Sequence, residues 1–190
     1  ITHTYEISGI AMSQSNDVMY RQQLYGKRAK QIQMIVFDFD GVFTDNRVLV
    51  LQDGTEGVFC SRADGFGLGA AKKLGIRLLV ISTEKNPVVG ARCKKLNIPY
   101  IQGCDDKSRT LQTEANKLGI SLDNIAYLGN DINDIECLEI VGLPACVSDS
   151  YSEVIALSKY VTNAKGGYGA VREFCDLIVN VKEGKVKSAD

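Results

Sequence analysis

The sequence predicts an α/β domain built on a doubly wound parallel β-sheet. Short apolar runs rich in β-branched residues alternate with segments of helical character, an alternation typical of βαβ units. The first run, Met34 to Phe37, is apolar at every position, as expected of a strand covered on both faces. Several runs end in polar side chains, which suits the carboxyl edge of an open sheet, where ligands bind.

Composition limits the classes of function that this chain can have. Its 190 residues suit one domain, and 22 basic against 23 acidic residues give no basic surface for nucleic acid. The apolar runs are shorter than the ~20 residues of a membrane span, and no secretory signal pattern is visible, so we expect a cytoplasmic protein without a membrane partner. Six cysteines without CxxC spacing favour buried thiols, although disulfides stay open. With His3 the only histidine, acid–base chemistry falls to carboxylates.

The chain begins with a polar segment that precedes the predicted domain. We divide the sequence into a disordered lead or linker, a domain and a tail, at 1–17, 18–184 and 185–190. A basic amphipathic helix is predicted over 18–33, with Asn16 or Asp17 as its N-cap, and it leads into the first strand.

A β-hairpin is predicted directly after the first strand. Two β-rich arms lie on either side of Asp53-Gly54, a dipeptide that favours a tight turn. The hairpin would form a flap beside the carboxyl edge of the sheet. No later insertion is long enough to form a separate cap domain.

The remaining segments continue the alternation to the C-terminus. Glycines or a proline mark several helix ends. In order, we predict a helix from Asp64 to Gly75, a strand Ile76 to Ser82, a helix from Asn86-Pro87, a strand Pro99 to Gln102, a helix Asp106 to Leu118, a strand Ile125 to Gly129, a helix Ile132 to Val141, a strand Leu143 to Val147, a helix Ser152 to Ser158, a strand from Tyr160 to Thr162 and a helix Gly169 to Val181.

The polar strand ends offer a coherent set of chemical groups. Asp38 and Asp40 follow the first strand, and Ser82 follows the second. Lys107 follows the third and Asp131 the fourth. Carboxylates suit a hard divalent cation, and a hydroxyl with an ammonium suits a phosphate. These residue types predict Mg²⁺-assisted phosphoryl transfer.

The segment from Asp38 to Asp45, DFDGVFTD, resembles the first motif of the haloacid dehalogenase superfamily of phosphotransferases. The resemblance implies that Asp38 is the nucleophile, that Asp40 is the general acid and base, and that both bind Mg²⁺. It also implies that Ser82 binds the transferring phosphoryl group, or Thr83 if the register is shifted by one. Lys107 matches the cation that offsets charge on phosphate and nucleophile.

The fourth motif of that superfamily is matched with one ambiguity. Members have GDDxxD or GNDxxD, and this chain has Asn130 at the first variable position. We assign Asp131 to the metal because it is present in both versions. Asp134, with Asn130, is given a supporting role behind the metal ligands. The alternative for Asp134 is a charge that only stabilises a helix N-terminus.

Two further segments resemble the capless 3-deoxy-D-manno-octulosonate 8-phosphate phosphatase family. These are Arg62 to Gly67 and the glycine-rich ending from Gly166 to Arg172. The resemblance implies a phosphorylated sugar acid as substrate and a homotetramer in which a neighbour's hairpin and tail close the site. The segment STEKNP, from Ser82 to Pro87, instead resembles the branch acting on nine-carbon 2-keto-3-deoxy acids.

Four residues are candidates for contacts with the rest of such a substrate. Lys85, Arg62 or Arg172 would pair with its carboxylate, and Glu84 would accept hydrogen bonds from hydroxyl groups.

Two non-catalytic alternatives remain open. STEKNP also resembles the phosphatase-like domain attached to N-acylneuraminate cytidylyltransferases, which would make the chain an oligomerising domain. A receiver-like phosphoacceptor domain has a similar sheet and similar polar residues, but its phosphoacceptor lies on a later strand.

Overall fold

The computed structural model describes residues 25–185 and confirms the predicted doubly wound sheet. Six parallel strands form it in the order β5-β4-β1-β6-β7-β8, and a separate antiparallel hairpin is made by β2 and β3. The strands are β1 (Met34–Phe37), β2 (Thr44–Val50), β3 (Glu56–Cys60), β4 (Arg77–Ile81), β5 (Tyr100–Ile101), β6 (Ile125–Gly129), β7 (Leu143–Cys146) and β8 (Tyr160–Val161).

Within residues 25–185, seven α-helices accompany these strands. The first, α1, is described over 25–31, so its predicted caps Asn16 and Asp17 lie outside the described residues. The others are α2 (Asp64–Lys73), α3 (Val88–Leu96), α4 (Lys107–Leu118), α5 (Ile135–Ile140), α6 (Ser152–Leu157) and α7 (Ala170–Lys182).

One predicted helix differs from the observed structure. The segment predicted as a helix from Ile132 to Val141 is a short 3₁₀ turn, Ile132–Asp134, followed by α5. The Asp131 side chain accepts from the Ile132 N–H, and Asp131 and Asp134 form a reciprocal capping box. This capping holds the first residues in a tighter turn than an α-helix.

The central strand β1 lies where the direction of winding reverses. Its neighbours are β4 on one side and β6 on the other, both parallel to it. After β1 the chain builds outward through β4 and β5, and then returns to add β6, β7 and β8 on the opposite side. In open α/β sheets, such a reversal leaves a crevice at the carboxyl ends of the strands. The loop after β1 lies at this crevice.

Apolar side chains of β1 alternate between two buried layers. Ile35 and Phe37 contribute to the core shared with α2, α3 and α7, whereas Met34 and Val36 contribute to the core shared with α4, α5 and α6. All four residues are at most 2 % exposed. The uniformly apolar run therefore reflects a strand covered by helices on both faces, as predicted.

The hairpin stands beside the crevice as predicted. The tight turn is at Gly54, whose φ is +82°, and Asp53 accepts a hydrogen bond from the Thr55 N–H. The pairing of β2 with β3 is irregular between Thr44 and Val48, which marks a β-bulge. Between β1 and β4 the chain forms only this hairpin and α2, so no cap domain is inserted there.

All six cysteines are free thiols, and five of them are buried. The expectation of buried thiols is thus confirmed. Within residues 25–185, no helix combines the length and apolar character needed to cross a membrane.

Helices α2 and α7 pack unusually closely against each other. A Cβ built on Gly67 of α2 would lie 3.0 Å from the Cβ of Cys175 in α7, so only glycine fits there without a shift. At the start of α2, Asp64 is 1 % exposed, and its Oδ1 accepts from the Arg172 N–H at 3.3 Å. Its Oδ2 is buried without a partner. Burial raises the pKa of Asp64 to about 6, although the hydrogen bond from the Arg172 N–H acts to lower it.

We expect Asp64→Asn to become progressively more stable than the unchanged protein as pH rises from about 4 to about 6. The carboxyl binds its proton more tightly in the folded than in the unfolded state, so folding loses stability as pH rises through this window. The asparagine amide does not titrate and retains an oxygen acceptor for the Arg172 N–H. The difference in unfolding free energy should change by up to about 3 kcal/mol, measured by urea denaturation at several pH values. A difference that stays constant from pH 4 to pH 8 would contradict this assignment.

Candidate active site

The structure brings the predicted catalytic carboxylate and the predicted lysine into direct contact. Asp38 follows β1 and is 5 % exposed, and Lys107 opens α4 and is 4 % exposed. The Lys107 Nζ lies 2.8 Å from the Asp38 Oδ1 and 2.8 Å from the Asp134 Oδ1. One buried ammonium group therefore bridges two buried carboxylates at the carboxyl edge of the sheet.

Asp134 is held by four hydrogen-bond donors. Its Oδ1 accepts from Lys107 and from the Tyr127 hydroxyl at 2.7 Å. Its Oδ2 accepts from the backbone N–H groups of Asn130 and Asp131 at 2.9 and 3.3 Å. Asp134 therefore fixes both Lys107 and the turn after β6. The sequence did not predict the contact with Tyr127, because a tyrosine within a buried strand is expected to be an apolar core residue.

Burial governs the protonation of the nucleophile candidate. It raises the pKa of Asp38 to about 7, and the charge of Asp134 adds to this rise while Lys107 opposes it. Burial disfavours the charged form of Lys107, but the carboxylates of Asp38 and Asp134 outweigh this and raise its pKa. Lys107 is thus a cation, and further positive charge near Asp38 would favour its ionised form.

Asp40 lies in a tight loop beside an open cavity. The Phe39 carbonyl accepts from the N–H groups of Phe43 and Val42, and Gly41 has a φ of +76°. The Thr44 hydroxyl accepts from the Gly41 N–H and lies 3.4 Å from the Asp40 Oδ1. Burial, then the nearby Glu84, raises the pKa of Asp40, which suits a group that delivers a proton.

Ser82 and Thr83 occupy different environments after β4. Ser82 is 1 % exposed, and its Oγ accepts from the Glu84 N–H at 3.1 Å. Thr83 is exposed and lines a cavity of about 350 Å³ together with Lys107 and Asn133. Both hydroxyls therefore lie near the edge where Lys107 is placed.

The four candidate substrate-binding residues lie in different environments. Glu84 lines a cavity of about 260 Å³ beside Asp40. Lys85 and Arg62 are exposed. Arg172 is ion-paired with Asp176 in its own helix and lies over the Phe66 ring.

Other residues of the cavity beside Asp40 were missed by sequence reasoning. Asn46, Arg47, Glu56 and Asn86 line it as well. Three of them belong to the hairpin. In the sequence, only the predicted position of the hairpin beside the site indicated that its residues line the cavity.

A glycine pair from the C-terminal part of the chain packs against the loop that carries Asp40. A Cβ built on Gly166 would lie 1.8 Å from the Gly41 carbonyl oxygen, and one on Gly167 would lie 2.5 Å from the Asp45 nitrogen. The Gly167 N–H also donates to the Val42 carbonyl at 3.0 Å. Side chains at either position would push this loop away.

Sequence comparisons identify relatives over most of the chain. The haloacid dehalogenase-like hydrolase family matches residues 96–174. The chain is 34% identical to the 3-deoxy-D-manno-octulosonate 8-phosphate phosphatase KdsC of Salmonella typhi over 163 residues, 85% of this chain and 86% of the relative. The KdsC phosphatase of Yersinia pestis is 31% identical over 154 residues, 80% of this chain and 82% of the relative.

Solved structures show the same similarity. The 3-deoxy-D-manno-octulosonate 8-phosphate phosphatase of Moraxella catarrhalis, in complex with magnesium, phosphate and the sugar acid, superposes with a TM-score of 0.81 at 36% identity, covering 84% of this chain and 92% of that one. The cobalt-bound phosphatase of Haemophilus influenzae has a TM-score of 0.79 at 25% identity, covering 82% and 92%. The chain is therefore a phosphatase that belongs to the haloacid dehalogenase-like hydrolases, in the capless family that includes the 3-deoxy-D-manno-octulosonate 8-phosphate phosphatases.

Proposed function

We propose that this chain is a Mg²⁺-dependent phosphatase for a phosphorylated 2-keto-3-deoxy sugar acid with eight or nine carbons. The observation that carries the proposal is the buried contact of Lys107 with Asp38, next to a polar cavity at Asp40. The names of the relatives support an eight-carbon acid, and the segment STEKNP supports a nine-carbon one. A small, water-accessible cavity with several carboxylates and amides suits a polyhydroxylated leaving group.

The first chemical step would transfer the phosphoryl group to the protein. Lys107 and the Ser82 hydroxyl would hold the phosphoryl oxygens while an Asp38 oxygen attacks phosphorus. The bond from phosphorus to the sugar oxygen breaks as the new bond to Asp38 forms. Asp40 would give its proton to the leaving alkoxide, releasing the sugar acid and leaving an aspartyl-phosphate.

The second step would restore the carboxylate of Asp38. Asp40, now ionised, would take a proton from a water molecule that attacks phosphorus. The bond between phosphorus and the Asp38 oxygen breaks, and inorganic phosphate leaves. Asp134, through its four hydrogen bonds, would keep Lys107 in place throughout.

The residues at the site fit a hard divalent cation. The Asn130 Oδ1 is buried without a hydrogen-bond partner, and its side chain packs against Gly41, next to Asp40. Asp38, the Asp40 carbonyl and Asp131 are the other oxygen donors that would hold Mg²⁺. In the described part of the chain, no three acidic, thiol or imidazole groups already converge on one point, so neutral oxygens would complete the ligand set. Bound Mg²⁺ would offset the negative charge that gathers on the phosphoryl group.

We expect Asp131→Ala to raise the Mg²⁺ concentration needed for half-maximal activity more than Asp134→Ala does. Among the described residues, the half-buried Asp131 carboxylate accepts only from backbone N–H groups of the turn that it caps, whereas the Asp134 carboxylate also accepts from the Lys107 ammonium and the Tyr127 hydroxyl. Titration of Mg²⁺ against activity in both variants checks this. Asn130→Ala is a third variant that tests the other proposed ligand from this turn. A larger rise for Asp134→Ala than for Asp131→Ala would contradict the assignment of Asp131 to the metal.

We also propose that the chain works as a homotetramer in the cytoplasm. The hairpin exposes a row of apolar residues that a neighbouring copy would cover: Val48, Leu49, Val50, Leu51 and Phe59. Six free cysteines suit a reducing compartment.

Turnover of phosphate monoesters tests the proposed function. Mg²⁺-dependent hydrolysis of a small aryl phosphate would separate a phosphatase from a receiver-like domain and from a non-catalytic cytidylyltransferase domain. A screen of eight- and nine-carbon 2-keto-3-deoxy sugar-acid phosphates would then identify the substrate. Absence of turnover with every phosphate in the presence of Mg²⁺ would overturn the proposal.

A further inference from the structure

Most polar side chains of the cavity beside Asp40 already have hydrogen-bond or ion-pair partners. The Asn86 amide donates to the Glu56 Oε2 at 2.9 Å, which ties the hairpin to the loop after β4. The Glu84 Oε1 accepts from the backbone N–H groups of Lys85 and Asn86 at 2.6 and 2.7 Å. These hydrogen bonds occupy several of the donors and acceptors that line the cavity.

Arg47, the cation of this cavity, is also engaged. Its guanidinium donates to Asp45 at 2.6 and 2.9 Å. Asn46, which lies between these two residues, has only its backbone N–H engaged, with the Thr44 hydroxyl at 3.2 Å. Within residues 25–185 its side-chain amide has no hydrogen-bond partner. The amide therefore has both a donor and an acceptor available at the cavity.

The backbone of Asn46 is in a conformation that glycine adopts more easily. Its φ is 60°, and it lies in the β-bulge between Thr44 and Val48. Bulges next to active sites redirect a side chain, and strained non-glycine residues cluster at such sites. Asn97 is the other described non-glycine residue with positive φ, at 53°. It ends α3 as a left-handed C-cap, an ordinary use of asparagine that Asn46 does not share.

We propose that Asn46 is a specificity-determining residue whose amide binds hydroxyl groups of the substrate's leaving group. This inference rests on the proposed function, because it assigns a recognition role within the same site. An amide suits a polyol, since one hydroxyl donates to its oxygen and another accepts from its nitrogen. An aryl leaving group offers no such hydroxyl pair.

Asn46→Gly tests this inference without straining the hairpin, because glycine accepts a φ of 60° readily. We expect the KM for the sugar-acid phosphate to rise by about threefold to tenfold, the scale of one net hydrogen bond. The kcat and KM for a small aryl phosphate should change much less, because its leaving group offers the amide no pair of hydroxyl groups. Inhibition of aryl phosphate turnover by the dephosphorylated sugar acid should weaken by a similar factor.

Asn97→Gly is the matched control, because it makes the same substitution at a similar positive φ away from the cavity. It should leave both substrates and the inhibition unchanged. An unaltered KM for the sugar-acid phosphate in Asn46→Gly would overturn the inference, and so would an equal loss on both substrates. If the unsubstituted protein hydrolyses neither phosphate, the proposed function itself is wrong and the inference falls with it.

Discussion

Asp38→Asn should lower phosphate release by about 10⁴-fold or more while the protein stays folded. The carboxylate lies against Lys107 at the end of the central strand, where it would attack phosphorus. An amide of the same shape cannot form the acyl phosphate, so the loss should appear with both aryl and sugar-acid phosphates. Single-turnover experiments with labelled substrate and acid quenching should trap phosphate on the unchanged protein but not on Asp38→Asn.

Stability separates this loss of chemistry from a loss of fold. The fold raises the pKa of Asp38 to about 7, so the protein loses stability as pH rises from about 4 to about 7, and the full cost of ionising this group is present above pH 7. A neutral asparagine removes this cost, and at pH 8 the variant should be at least as stable as the unchanged protein in urea. Activity within tenfold of the unchanged protein would show that Asp38 is not the nucleophile.

Lys107→Met should have the second largest effect, on stability as well as on activity. Its ammonium lies 2.8 Å from two buried carboxylates, and methionine would leave both without their cation. Breaking a buried ion pair on one side costs about 3–5 kcal/mol, measured as the unfolding free energy at pH 8. Turnover should fall by roughly 10²–10³-fold, the scale of losing one preorganised contact to developing charge.

A double variant distinguishes the two roles of Lys107. Adding Asp134→Asn to Lys107→Met removes one of the two unpaired carboxylates and should restore part of the stability but none of the activity. If Lys107→Met unfolds at the same urea concentration as the unchanged protein, the ion pairs contribute little. If the double variant recovers turnover, Lys107 does not act on the phosphoryl group.

Sequence patterns predicted the structure correctly where a single local signal determined it. The run from Met34 to Phe37 is apolar throughout because β1 is covered on both faces, and this made the central strand recognisable. Asp53-Gly54 predicted the hairpin because few other residues fit its turn. The spacing of Asp38 and Asp40 then located the candidate site at the end of the strand.

Tertiary packing decided the features that the sequence did not reveal. Arg172 stays a candidate for substrate binding, and the packing of α7 on α2 places its guanidinium over the Phe66 ring. Asn46 has a left-handed conformation within a β-bulge, and this bulge depends on how β2 pairs with β3. The Tyr127 hydroxyl has a polar role because it donates to Asp134, which lies beyond the turn after β6.

The packing of Gly166 and Gly167 on the loop from Gly41 to Asp45 has a consequence for synthesis on the ribosome. The loop that carries Asp40 is translated before the glycines that support it, because residues 46–165 lie between the two segments. Contacts between segments so distant in sequence form late, because loop closure must precede them. The Asp40 loop of the nascent chain therefore lacks this support until Gly166 and Gly167 have been translated.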